Sequence, residues 1–156
     1  MGIDRRLSRL AHGLIHMSQH EGVATSQSIA KMFGTNPVVV RRMMAGLRKD
    51  GIVGSQKGHG GGWMLTKKLE NISLLDIHQA LGNSNLVSIN LTNEQPQCLV
   101  VQAVNDALEK SIIEAKTLLY KRFAEISLAD IAGSFENKKQ NLTENQKTAL
   151  CPSSQS

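Results

Sequence analysis

Three cationic side chains, Arg41, Arg42 and Lys49, share a segment in which Val40, Met43, Met44 and Leu47 recur at helical spacing. With Val40 on the inner face of that helix, Val38, Arg42, Ala45 and Lys49 fall on the outer face, with Arg41 beside them. Guanidinium groups near the start of such a helix suit bidentate hydrogen bonds to guanine edges or a grip on phosphate. Ala45 leaves room for close approach, and Val38 offers an apolar contact for a thymine methyl. Shortly afterwards comes Lys57-Gly-His-Gly-Gly-Gly62, so rich in glycine that it reads as a turn or hairpin tip, with Lys57 and His59 available to phosphates or a minor groove.

The remaining reactive residues form weaker constellations. His12, His16 and His20, spaced by four, make a row on a helix that could grip zinc or copper, but apart from Glu21 no carboxylate or cysteine completes a ligand set. A solvated face opposite the apolar one is the expected reading. Cys98 follows Pro96 in the first turn of an expected long helix, where the positive end of the helix dipole can turn a thiol into a redox-sensing thiolate. A half-buried structural cysteine is the stronger reading, because free cysteine so often packs as a small apolar residue. Cys151 stands in a polar tail and reads as incidental, and two such cysteines build neither a disulfide framework nor a zinc site. No nucleophile and base pair, carboxylate dyad or phosphate loop is apparent. Gly58-His-Gly-Gly-Gly62 looks superficially like oxyanion-hole glycines, yet no Gly-x-Ser-x-Gly elbow accompanies it, so an enzyme is not expected.

These residues need elements to position them, and 156 residues suffice for one ordinary domain or a small domain with an extension. Aromatics are 3% of the chain, so Leu, Ile, Val, Met and Ala must fill the core. The net charge of +5 is segregated: through Leu81 there are eleven Lys/Arg against five Asp/Glu, and beyond it seven against eight. A basic first half attracts polyanions. No apolar run is long enough for a membrane span or a secretory leader, so a cytoplasmic chain is expected, with no membrane partner. Leu7, Leu10, Ala11, Leu14 and Ile15 predict a helix over 5–19. Thr25 or Ser26 caps a second helix that ends at Gly34, and Asn36-Pro37 opens a third to about Lys49. Ile52–Gln56 and Trp63–Thr66 read as strands, and Ser73 caps a short helix ended by Gly82. A long helix is expected from near Pro96, with Val101, Val104, Leu108, Ile112, Ala115, Leu119 and Phe123 in a single apolar stripe that wants a partner. Ser127-Leu-Ala-Asp130 reads as a capped terminal turn. The expected organisation is a head over 1–82, a linker and dimerisation helix over 83–133, and a disordered tail over 134–156.

The fold class is therefore mainly α with a small β-hairpin, in the order of a winged helix-turn-helix head followed by a long dimerisation helix. Residues 26–82 resemble the Rrf2 family of bacterial winged-helix regulators. The resemblance is carried by Ser28-Ile-Ala30, Leu47-Arg-Lys-Asp-Gly-Ile-Val53, the hairpin Gly58-His-Gly-Gly-Gly-Trp63, Leu65, and Leu74-Leu-Asp-Ile77 with Ala80. The glycine-rich tip followed by an aromatic, Trp63, is its most specific part, and the second half matches loosely. The resemblance implies a homodimeric repressor on double-stranded DNA, with the third helix in the major groove and the hairpin at the minor groove. By matching position, DNA contact falls on Val38, Arg41, Arg42, Lys49, Lys57, His59 and Gly60. Members with an iron–sulfur cluster present three cysteines leading into the long helix, whereas this chain has Cys98 alone there, so no cofactor is expected. The signal is then Cys98 oxidation, a small molecule between head and dimer helix, or a protein effector. A winged-helix adaptor that binds proteins instead of DNA is the competing reading; outward Arg42 and Lys49 separate the two, because DNA binding collapses with added salt.

Overall fold

The computed structural model describes residues 5–83, 86–87, 89–92 and 94–141. In chain order the elements are α1 (Arg5–Gln19), α2 (Ser26–Phe33), α3 (Pro37–Lys49), β1 (Val53–Gln56), β2 (Gly62–Leu65), α4 (Leu74–Ala80), α5 (Leu99–Glu125) and α6 (Leu128–Gln140), with a 3-10 turn at Leu69–Asn71 before α4. Local chemistry sets the boundaries. Thr25 Oγ1 accepts the Ser28 amide hydrogen at 3.1 Å to start α2, and Gly34, at φ 60 and ψ 43, ends it in the left-handed turn of a helix-turn-helix. The strands pair antiparallel in the register Val53↔Leu65 to Gln56↔Gly62.

Leu10, Leu14, Ile29, Val40, Met44, Leu47, Ile52, Ile72, Ile77 and Leu128 are fully buried in one cluster that joins the head to the start of α6. Helix α1 lies at its centre, packed by α2, β2, α4 and α6. Residues 13–17 are buried on every side of that helix, which is why His16 is buried here and does not stand on a solvated face with the exposed His12 and His20.

Two capping boxes of the same design sit side by side. Ser73 Oγ accepts from the Asp76 amide while the Asp76 carboxylate accepts from the Ser73 amide, and Ser127 and Asp130 repeat the arrangement at the start of α6. The Ser127 hydrogen bonds hold the Asp130 carboxyl below its ordinary pKa. Leu74 N donates to Ile126 O at 3.0 Å and Leu128 N to Ile72 O at 2.8 Å, a short antiparallel bridge that clamps the α5–α6 corner to the head. Helix α6 continues to Gln140, so 134–140, expected to be disordered, is helical, and Leu128, Ile131 and Ala132 pack against the head's core. The sequence there lacks a strong periodicity because one turn of α6 does most of the packing. Cys151 lies outside the described residues, as does the rest of 142–156.

Helix α5 begins at Leu99, so Cys98 is its N-cap and not a first-turn residue. Its 27 residues span about 40 Å. It packs on α4, where the His78 and Tyr120 rings stack with centroids 5.4 Å apart. Within the expected stripe Val101, Ile112 and Leu119 are half-buried, whereas Val104, Leu108 and Ala115 are exposed. The apolar surface is broader than one stripe. Val100 and Leu118 widen it, and Leu99 and Ile113 lie elsewhere on the helix, all four exposed.

Gly46 reveals what sets the distance between α3 and α4. A helix-interior glycine costs about 1 kcal/mol against alanine, but a Cβ at this position would collide with the Ala80 carbonyl oxygen. Gly46→Ala should therefore destabilise the fold by about 1–3 kcal/mol despite its better helix propensity, lowering the urea midpoint with an unchanged m-value. An unchanged or raised midpoint would show that α4 can move away freely.

Candidate nucleic-acid interface

Helix α3 is fastened from one side. Val40, Met43, Met44 and Leu47 are buried, while Val38, Val39, Arg41, Arg42, Ala45, Arg48 and Lys49 are exposed, Val38 by 61%. Its first turn is held by Asn36, whose Oδ1 accepts from the Val38 and Val39 amides, each at 3.0 Å, and by Pro37, which needs no amide partner. With those donors engaged, the leading edge of the helix presents side chains outward: two valines, then Arg41 and Arg42. Among the described residues no carboxylate pairs with Arg41, Arg42, Lys49 or Lys57, so their charge is available to an external anion.

The hairpin supplies the second part of the surface. Gly58 and Gly60 adopt φ of 100 and 76, which residues with a Cβ rarely take, and Gly61 N donates to Gly58 O at 3.0 Å to close the tip. Lys57, His59 and Gly60 are exposed there. The root of the hairpin is anchored twice. Trp63 and Ala24 exchange two backbone hydrogen bonds of 2.8 Å each, and the Trp63 indole N–H donates to Ser26 Oγ at 3.0 Å. A third tie joins wing and helix: Arg48 Nη1 donates to Ser55 Oγ at 3.2 Å.

The structure thus brings the sequence-derived residues onto two adjoining exposed elements, Val38, Arg41, Arg42 and Lys49 on α3 and Lys57, His59 and Gly60 at the wing tip. Arg48, Val39 and the Trp63–Ser26 tie were not singled out from sequence. Arg48 carried a signal in its place beside Lys49 at the end of the helix; Trp63 and Ser26 each drew notice separately, but at 37 residues apart nothing in the sequence paired them.

The donors among the described residues do not fit an iron–sulfur cluster. Cys98 is half-buried at the α5 N-cap with no capping hydrogen bond from its side chain, and no other cysteine lies among the described residues. Among those residues no group of three or more His, Cys, Asp or Glu stands together as a metal site; His12 and His16 lie on α1, and His20 falls just past its end. No helix among them is long and apolar enough to cross a membrane.

A short helix, a tight turn, a basic helix fixed by its inner face and a glycine-tipped wing define a winged helix-turn-helix of the kind found in DNA-binding regulators. A family model described as Rrf2, iron-dependent transcriptional regulator, matches residues 3–134. The chain belongs to the Rrf2 family of transcriptional regulators. It is 33% identical over 129 residues to a Bacillus subtilis chain named as a candidate HTH-type transcriptional regulator, YwnA, covering 83% of this chain and 96% of that one. A crystal structure described as a candidate DNA-binding protein is similar with 31% identity and a TM-score of 0.63, over 81% of this chain and 97% of that chain. CymR of B. subtilis, described as the global cysteine regulator, shares the fold at 21% identity and a TM-score of 0.61, over 86% and 98% of the two chains.

Asn36→Ala should lower stability by about 0.5–2 kcal/mol by freeing two amides at the leading edge of α3. Chemical denaturation measures the loss, and Asn36→Asp or Asn36→Ser should restore most of it.

Proposed function

We propose that the protein is a homodimeric repressor that binds a pseudo-palindromic operator in double-stranded DNA and has no catalytic activity. The observation that carries this reading is the uncompensated positive charge of Arg41, Arg42 and Lys49 on the outer face of α3, next to a wing whose tip exposes Lys57, His59 and Gly60. Arginines reach base edges or phosphates, Val38 meets a thymine methyl, and the wing follows the backbone into the minor groove. Dimerisation falls to α5 through Val101, Val104, Leu108, Ile112, Ala115 and Leu119. Exposed valines and leucines on a helix of about 40 Å gain by burial against a second copy. Two heads about 34 Å apart then read half-sites one helical turn apart. No iron–sulfur cluster takes part, and the signal enters as a thiol oxidation at Cys98, a small molecule or a protein effector.

Selection of bound duplexes from a random pool tests the reading. A two-fold symmetric motif is expected; absence of any enriched motif would favour the adaptor. Repeating the selection after peroxide treatment tests Cys98: loss of binding that Cys98→Ser escapes would assign the thiol, and unchanged binding would remove it.

Arg42→Ala should weaken operator binding by about 1–3 kcal/mol if the guanidinium reads a base, or by less with a salt slope shallower by about 1 if it holds phosphate. Unchanged affinity and slope would take Arg42 out of the interface. Leu108→Lys should place a charge in the α5 apolar surface and yield monomers in sedimentation; a persisting dimer would move the assembly surface elsewhere.

A further inference from the structure

A cavity of about 270 Å³ opens beneath the wing, between the end of α1, the loop that follows it, α2 and β2. Its apolar walls are Met17, Met32, Val23, Ala24 and Trp63. Thioethers make favourable edge contacts with aromatic rings and adjust to their outline, and an indole adds a flat stacking surface. The polar lining is sparse. Ser28 Oγ is committed, donating to Thr25 O at 2.9 Å and lying 3.2 Å from Thr25 Oγ1. Glu21 and His20 are exposed, and among the described residues no lysine or arginine lines the space. His16 is the exception: 8% exposed and part of the wall, with no hydrogen bond to its imidazole among the described residues and an edge-to-face contact of 4.6 Å with His12. Burial, reinforced by the neighbouring His12 and His20, keeps its pKa below the ordinary value, so the ring is neutral near pH 7 and one nitrogen can accept a hydrogen bond.

We propose that this cavity is an effector site for a small uncharged aromatic molecule with one hydrogen-bond donor, a phenol or an indole, whose ring lies against Trp63 and the two methionines and whose donor meets the His16 imidazole. With no lysine or arginine among the described residues of the lining, a carboxylate or phosphate is disfavoured, and one buried polar side chain without a hydrogen bond calls for a single polar group on the ligand. The site differs in place from a pocket between head and dimer helix. It adjoins the reading surface: Ala24 and Trp63 wall the cavity and are also the two residues whose paired backbone hydrogen bonds fix the root of the wing. A Cβ on the neighbouring Gly62 would stand 2.6 Å from Ala24 O, so the junction has little slack. An occupant in contact with the Trp63 ring therefore bears on the angle of β2 and of the tip beyond it. This coupling rests on the DNA-binding reading; the site itself does not.

Trp63 is the sole tryptophan of the chain, so its emission reports occupancy without a label. The full-length protein is titrated with 4-ethylphenol, and with 4-ethylanisole, which keeps the ring and oxygen but lacks the donor. A saturable change in emission is expected with the phenol, about tenfold weaker with the anisole and with the folded His16→Leu variant. Met32→Phe, which fills the cavity from within, is expected to abolish it. Affinity for the selected operator is then measured with and without saturating 4-ethylphenol, and a change of about fivefold or more is expected. No saturable response, or equal responses to phenol and anisole, overturns the site. Since the fluorescence measurement contains no DNA, a chain that binds the phenol but enriches no operator contradicts the DNA reading and the coupling while upholding the site. A chain that binds both with unchanged operator affinity contradicts the effector role.

Discussion

A helix can read a groove only if its other face is held still, and here that depends on the contact between α3 and α4 at Gly46. With no side chain at that position, the α3 backbone approaches the Ala80 carbonyl closely enough to lock the two helices, while Val40, Met44 and Leu47 are sealed from water beneath. Helix α4 has only seven residues and would fray alone. It persists because the Ser73–Asp76 capping box starts it and the Leu74–Ile126 and Leu128–Ile72 hydrogen bonds tie its beginning to the α5–α6 corner. The same short helix carries α5 through the His78–Tyr120 stack. One element thus sets the attitude of the proposed reading helix and of the proposed dimer helix.

The wing is held by different means. Two antiparallel strands of four residues are marginal in water by themselves. The hairpin gains its place from Trp63, through the paired bonds with Ala24 and the indole bond to Ser26, and from the Arg48–Ser55 bond at the other strand. Because Trp63, which makes three of these four hydrogen bonds, also walls a cavity, the wing is the part of the proposed reading surface that an occupant inside the head would touch. Helix α3, by contrast, is backed by the buried side chains of Val40, Met43, Met44 and Leu47.

Elements set by local chemistry were legible in the sequence. The helix over 5–19, Thr25 or Ser26 and Asn36-Pro37 as starts, Gly34 as a stop and the glycine hairpin all follow from capping, periodicity and turn preferences that act over a few residues, and the structure selects Thr25. The outward placement of Arg41, Arg42 and Lys49 followed from the same periodicity. What sequence did not disclose depends on contacts between distant segments. His16 looks like a member of a polar row until four elements are seen to enclose α1. The start of α6 looks like a single capped turn, and 134–140 like a tail, until Leu128 is seen to complete the head's core. The stripe on α5 was readable, but its surplus of exposed valine and leucine is apparent only once the head is seen to cover so little of that helix.

The proposed DNA-binding surface is the face of α3 opposite the core together with the wing tip. Amide shift perturbation with a duplex of about twenty base pairs tests it most directly, since binding need not be sequence-specific for the surface to register. Perturbations should concentrate in 37–49 and 57–62 and fade as salt is added, with the amides of 99–118 unaffected. Perturbations confined to α5, or an unchanged spectrum at low salt, would contradict it.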